Sequence, residues 1–207
     1  SGFHPRGNQL AIISNGTGPA AMAADRAHAL GIPLPKLAPD TIAEMKKFLP
    51  HDWAGGVPID LGGDATPERY LQAISALAAD THVDAILVVL SPLAMAQPKR
   101  VAEGIVDIVR QQRLTLCCCF MGGEQISEAR KILEEAGIPV FLTPDTVIEL
   151  FHSISKYYQN QKLLLQTPGP NQNMELIATN NARPLMDALL GEHRQTLSGM
   201  ESRTLLH

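Results

Sequence analysis

The sequence predicts an α/β fold: a doubly wound, parallel five-stranded sheet in a three-layer αβα arrangement, with a helical extension at the C-terminal end. Two observations lead there. The short apolar runs are continuous rather than alternating, which is the pattern of strands buried on both faces. Stretches with helical patterning separate successive runs, so strands are joined by crossovers and not by hairpins. Composition agrees: 45% of the 207 residues are hydrophobic but only 4% are aromatic, so the core is aliphatic.

Each element has its own signal. Gln9–Ser14 is the first strand, and a Gly-containing turn leads from it into a helix over Ala20–Leu30. Pro33–Leu37 is expected to be the second strand, although it holds two prolines. "PDTIAEMKKFLP" gives a helix that ends at Pro50. "TPERYLQAISALAAD" gives another, with Thr66 as N-cap and Pro67 at the first helical position. Ala85–Leu90 is the central strand, followed by a helix over Lys99–Arg110 entered through Pro98. Leu114–Phe120 is the fourth strand, "EQISEARKILEEAG" a helix stopped by Gly137, and Pro139–Leu142 the fifth strand. "TPDTVIELFHSISKYYQNQ" repeats the Thr-Pro start at Thr143 and Pro144. Together these make a flavodoxin-like domain over residues 7–161. A polar linker containing "TPGPNQN" is expected over 162–181, then a helical segment over 182–207. Ser198 and Glu201 have capping-box spacing for a helix that has barely begun when the sequence stops, near Leu205 and Leu206. The chain is therefore expected to be a piece of a longer protein.

Bulk properties exclude several classes. The net charge is −4, and there is no basic run or aromatic–basic interleaving, so no nucleic-acid partner is expected. No apolar stretch approaches the roughly 20 residues of a membrane span. "SGFHPRGN" lacks the blocks of a signal peptide, and a cytoplasmic location is expected. Cys117, Cys118 and Cys119 are consecutive on a strand, so they alternate faces and cannot converge on one metal ion. They read as buried strand residues. The seven histidines are scattered without metal-ligand spacing.

Ligands of doubly wound sheets sit beyond the carboxyl ends of the strands, which singles out three loops. The first is "NGTGPA", where Asn15, Gly16, Thr17, Gly18 and Ala20 surround a helix start with free N–H groups and a positive dipole end. It also fits G-x-G-x-x-A over Gly16–Ala21, with Asp40 where a dinucleotide site would want its acid. On the residues alone, phosphate binding and a plain chain reversal are equally good readings. The second loop, residues 57–68, carries Gly62-Gly63 and Asp64 and reads best as a turn. The third, residues 90–98, is polar only at Ser91 and Gln97 and reads as a connection. Glu124, after "FMGG", reads as a residue favouring a helix N-terminus. No catalytic constellation is present.

Five stretches taken in order add a resemblance: "GNQLAIISNGTGPAAMAAD", "PIDLGGDATPERY", "VDAILVVLSPLAMAQP", "GIPVFLTPDTVIELF" and "YYQNQ". They resemble the second succinyl-CoA-synthetase-like domain of NDP-forming acyl-CoA synthetases. That family includes ADP-forming acetyl-CoA synthetases and Pat-type protein lysine acetyltransferases, which fuse a similar region to a GNAT domain; the style of "FHPRGNQL" and "SKYYQNQKLLLQTP" leans toward Pat-type. The same domain is similar to the C-terminal domain of the succinyl-CoA synthetase β subunit, with Gly62–Arg69 matching its Gly-Gly-containing motif. The resemblance implies a phosphohistidine held between two helix N-termini, the second of them following "NGTGPA". It implies a substrate contact for Asn15 and a second substrate loop over Ser91–Met95, including Leu93, although Pro92-Leu93 stands where the β subunit has Gly-Gly. It also implies that CoA, ATP or ADP, and Mg act in a parent protein. The partners would be a CoA-binding domain, a first ligase-like domain carrying the histidine, an ATP-grasp domain and, for a Pat-type parent, GNAT. This segment by itself would hold no cofactor and would be non-catalytic, offering a site for phosphate or acyl-CoA. Two other readings stand beside it: a stand-alone dinucleotide- or flavin-binding domain, and a docking scaffold with exposed apolar surface near Leu93–Met95.

Overall fold

The computed structural model describes Pro5 and residues 7–112, 114–165, 179–194 and 196–205. Two compact units divide the chain, Ser1–Leu163 and Leu164–His207.

The first unit is built on five parallel strands: β1 (Leu10–Ser14), β2 (Ile59–Asp60), β3 (Ala85–Leu90), β4 (Leu116–Phe120) and β5 (Val140–Phe141). They lie in the order β2-β1-β3-β4-β5, the flavodoxin-like order. Ile13 pairs with Ile59, Ile12 with Leu87, Val88 with Cys118, and Cys118 with Val140. Every residue of β1, β3 and β4 is buried. This explains the unbroken apolar runs: side chains at alternate positions must satisfy two different cores. Leu10, Ile12, Leu87, Val89, Cys117 and Cys119 enter the core covered by α1 (Thr17–Ala29) and α6 (Pro144–Leu164). Ala11, Ile13, Val88, Leu90, Cys118 and Phe120 enter the larger one. That core is closed by α2 (Pro39–Met45), α3 (Pro67–Ala79), α4 (Pro98–Gln111) and α5 (Ser127–Glu135). A short 3-10 turn, Glu124–Ile126, leads into α5.

One expected strand is corrected. Pro33–Leu37 does not pair, and the second strand is Ile59–Asp60 instead. Proline has no N–H to give a ladder, and two of them in five residues leave too few donors. The carbonyl of Pro33 does accept from the Leu10 N–H at 3.4 Å, and Leu37 is buried against the larger core. Apolar burial without pairing thus produced the strand-like signal.

The helix starts follow from their residues. Thr66 caps α3, its Oγ1 accepting from the Arg69 N–H at 3.5 Å, with Pro67 in the first turn. α4 starts at Pro98 after Gln97, whose φ of 41° makes the reversal out of the β3 loop. α6 extends to Leu164.

The second unit contains α7 (Thr179–Gly191) and α8 (Gly199–Leu205). The capping box at α8 forms: Ser198 N–H donates to Glu201 Oε2 at 2.6 Å, and Glu201 N–H to Ser198 Oγ at 3.4 Å. Arg194 donates to the same carboxylate at 3.0 Å, and this pairing, with the Ser198 contacts, holds Glu201 down to about 2. Most of the expected linker, and Leu206, lie outside the described residues.

All three cysteines are free and at most 1% exposed, Cys117 and Cys119 on one face and Cys118 on the other. Burial pushes all three thiols up, Cys119 to about 12. The native chain should therefore give no reaction with an aromatic disulfide at neutral pH, and three thiols should appear in denaturant. Prompt native labelling would mean that β4 opens locally.

Candidate functional site

The tips of β1, β2 and β3 and the start of α1 converge at the carboxyl edge of the sheet. Asn15, the residue after β1, is 2% exposed. Its Nδ2 donates to the Ser91 carbonyl at 2.9 Å and its Oδ1 accepts from the Ser91 N–H at 2.8 Å. This reciprocal pair joins two loops 76 residues apart in sequence. Below it, the buried Tyr70 hydroxyl donates to the Val89 carbonyl at 3.2 Å and meets the Asn15 backbone amide. Burial pushes the Tyr70 phenol well above its ordinary range, so it stays a neutral strut.

Gly16 is the α1 N-cap and has an ordinary extended conformation, with φ −143°. Its side-chain space is what matters: a Cβ there would lie 3.2 Å from Ser91 Oγ. The Gly16 N–H is taken by Ser14 Oγ at 3.0 Å. A Cβ at Gly18 would meet nothing within 4 Å, so the first turn of α1 is open on that side. Among the described residues no side chain caps this helix, and Pro19 contributes no N–H. The turn thus presents the amides of Thr17 and Gly18. The Ala20 N–H is committed to the Gly16 carbonyl at 3.2 Å and its methyl is buried, so Ala20 supports the helix and does not face outward. Leu93 and Met95, 42% and 48% exposed, form an apolar lip on the β3 loop. Leu93 Cδ1 approaches within 3.6 Å of where a Cβ on Gly63 would be, so the β2 and β3 loops are neighbours.

Three participants escaped the sequence reading. Asp60 ends β2, and its carboxylate accepts from Thr17 Oγ1 and from the Gly62 N–H, each at 2.9 Å. Arg69 donates through Nη1 to the Leu61 carbonyl at 2.7 Å and to Asp64 Oδ1 at 2.6 Å. That guanidinium holds the Asp64 carboxyl below the usual range. On the far side of β3, Arg130 donates to the Phe120 and Gly122 carbonyls at 2.9 and 2.8 Å and fastens the loop after β4. The spacing of Gly62, Asp64 and Arg69 was the available signal for the second of these; Asp60 and Arg130 had none beyond lying near strand ends. Asp40, considered as a dinucleotide acid, lies in the first turn of α2.

Gly62 has φ +85°, and a Cβ there would lie 2.8 Å from Asp64 Oδ1. Gly62→Ala should lose about 1–2 kcal/mol in urea unfolding, from left-handed strain plus displacement of the Asp64–Arg69 pair. A change near zero would mean that the loop relaxes freely.

Among the described residues no group of His, Cys, Asp and Glu is placed to hold a metal ion, and no helix is long and apolar enough to cross a membrane.

Comparison with known proteins decides the family. The model of the Ligase-CoA domain matches residues 10–156. The chain belongs to the Ligase-CoA domain family. This Ligase-CoA chain is 36% identical over 155 residues to acetate–CoA ligase [ADP-forming] I of Archaeoglobus fulgidus, covering 75% of the chain and 22% of that protein. It is 31% identical over 160 residues to the acetate–CoA ligase [ADP-forming] II subunit alpha of Pyrococcus furiosus, covering 75% and 35%. Among solved structures, the dinucleotide forming acetyl-coenzyme A synthetase 1 of Ca. Korarchaeum cryptofilum superposes with a TM-score of 0.74 at 27% identity, over 81% of this chain and 37% of that one. That protein has also been solved with phosphate and ADP. The chain thus spans between about a fifth and a third of the length of these curated relatives.

Proposed function

We propose that this domain serves an NDP-forming acyl-CoA synthetase-like parent, of Pat type, by offering the N-terminus of α1 to a phosphoryl or acyl group, and that it is not catalytic alone. The observation carrying this reading is the uncapped first turn of α1. The Thr17 and Gly18 amides lie beside the Asn15–Ser91 clamp in a Ligase-CoA domain whose relatives include ADP-forming CoA ligases. In the parent, the chemistry would be acyl phosphate formation, transfer through a histidine of a neighbouring domain, and nucleotide phosphorylation. CoA, ATP or ADP, and Mg would be held by those other domains, a GNAT domain among them in a Pat-type parent. This chain's own contribution is electrostatic: oriented N–H dipoles stabilise charge without reorganising.

Asp60 sets the strength of that contribution. Its carboxylate reaches Thr17, at the very turn an anion would approach, so it weakens an anion there by like-charge repulsion. The domain in isolation is therefore a weak phosphate site, completed when a cation or donor from a neighbouring domain faces it. The exposed lip at Leu93 and Met95 supports docking at the same edge.

The test is a phosphate titration of isotope-labelled chain, followed by CoA and acetyl-CoA, read at backbone amides. Shifts should centre on Gly16–Gly18, and Asp60→Asn should tighten phosphate about threefold, the gain from removing a unit charge several ångströms away in water. No thioester synthesis should be measurable. Turnover by the chain alone, or silence at these amides in Asp60→Asn as well, would overturn the proposal.

A further inference from the structure

At the opposite, amino edge of the sheet, α6 and the end of α1 enclose a cleft of about 180 Å³. Ser155 lines it. This residue is 5% exposed, and its Oγ is buried without a hydrogen-bond partner. A buried hydroxyl left unpaired is destabilising, and it is the one such side-chain atom among the described residues. Helical serines usually relieve this by donating to the carbonyl one turn back; Ser155 does not.

The surroundings give the cleft a chemistry. Lys156, His152 and Asn8 supply an ammonium, an imidazole and an amide at the rim, while the buried Phe151 and Ile32 line the floor. Among the described residues no carboxylate lines it. The cleft has room for one small organic molecule. A cationic, donor-rich rim over an apolar floor suits a molecule that is anionic at one end and apolar at the other.

We propose that this cleft binds a small organic anion, a carboxylate with a short apolar tail, with Ser155 Oγ–H and the Lys156 ammonium donating to the carboxylate. The site lies on a different edge of the sheet from the α1 start and does not depend on the function proposed for that edge. Neither Ser155 nor Lys156 touches the first site, so the two can be tested separately.

Butyrate titrated into the labelled 207-residue chain is the probe. Saturable shifts are expected at the Gly31, Ser155 and Lys156 amides and the Ile32 methyls. Ser155→Ala should weaken butyrate about tenfold, as loss of a hydrogen bond to a charged group does. It should nonetheless leave the melting temperature unchanged or raised, because the hydroxyl it removes is unpaired. Lys156→Gln should weaken binding about fivefold. Butyramide, isosteric and neutral, should bind more weakly than butyrate. Absence of saturable shifts, equal binding of butyramide, shifts confined to Gly16–Gly18, or a melting temperature lowered by Ser155→Ala would each overturn the assignment.

Discussion

Asn15→Ala is expected to lower stability by about 2–3 kcal/mol and to loosen the carboxyl edge of the sheet. The side chain does two things at once. It accepts from the Ser91 N–H at 2.8 Å and donates to the Ser91 carbonyl at 2.9 Å, in a position 2% exposed. Alanine removes both partners and leaves a backbone donor without one, and an orphaned buried donor costs more than the net worth of the bond it lost. The space left by the amide adds a smaller loss. Asn15→Asp should not rescue the site at neutral pH. A carboxylate still accepts from the Ser91 N–H but turns its second oxygen toward the Ser91 carbonyl, oxygen against oxygen. Urea midpoints give the stability, and the Ser91 amide shift reports the clamp directly. If Asn15→Ala cost less than about 0.5 kcal/mol, the range of an ordinary surface change, Ser91 would have to be held by something other than Asn15. Any phosphate response at Gly16–Gly18 should shrink with the clamp, because Ser91 Oγ packs against Gly16.

Asp80→Ala should cost a similar amount, about 3 kcal/mol, without touching that edge. Asp80 ends α3, and its carboxylate is fully buried. Oδ2 accepts from the Ala38 N–H at 2.8 Å, which anchors the start of α2. Oδ1 accepts from the His82 N–H at 2.9 Å and lies 3.0 Å from His82 Nδ1. Burial pushes this carboxyl up, but the Ala38 and His82 amides, the Thr41 hydroxyl and the His82 ring together outweigh it and hold it below the ordinary aspartate range. The sign of the pH dependence follows. A carboxyl depressed in the folded state adds stability that is complete above the unfolded value of about 3.9 and is lost as pH falls through the lower folded value. The wild-type chain should therefore lose stability on acidification below about pH 4. Asp80→Asn should start lower at pH 7 and lose less over the same interval. Parallel pH profiles for the two would show that Asp80 does not titrate as the contacts imply.

Much of this architecture was legible because the central strands are buried on both faces. Leu10–Ile13, Ala85–Leu90 and Leu116–Phe120 are buried and apolar at every position, and such a run has few other uses. Thr66-Pro67 and Ser198–Glu201 were readable because capping chemistry is satisfied within one turn. Ile59–Asp60 was not readable. A strand of two residues carries no periodicity and exists only because Ile13 and Ser14 lie beside it. At the candidate site, "NGTGPA" pointed to a helix start, but nothing local revealed that Asp60 reaches Thr17 or that Ala20 faces inward. The unpaired hydroxyl of Ser155 was equally invisible, since a serine one turn after Phe151 on a helix ordinarily bonds its own backbone.

The sequence alone determined the class of fold, the order of its main strands and helices, and the loop at which α1 begins, because those depend on side-chain polarity and on bonds closed within a few residues. The tertiary structure alone decided which polar groups face one another: Asn15 with Ser91, Asp80 with Ala38, Asp60 with Thr17. Those partners are 42 to 76 residues apart, and hydrogen bonds act over about 3 Å. Only the crossover topology brings such groups within reach, so no local pattern in the chain encodes their meeting.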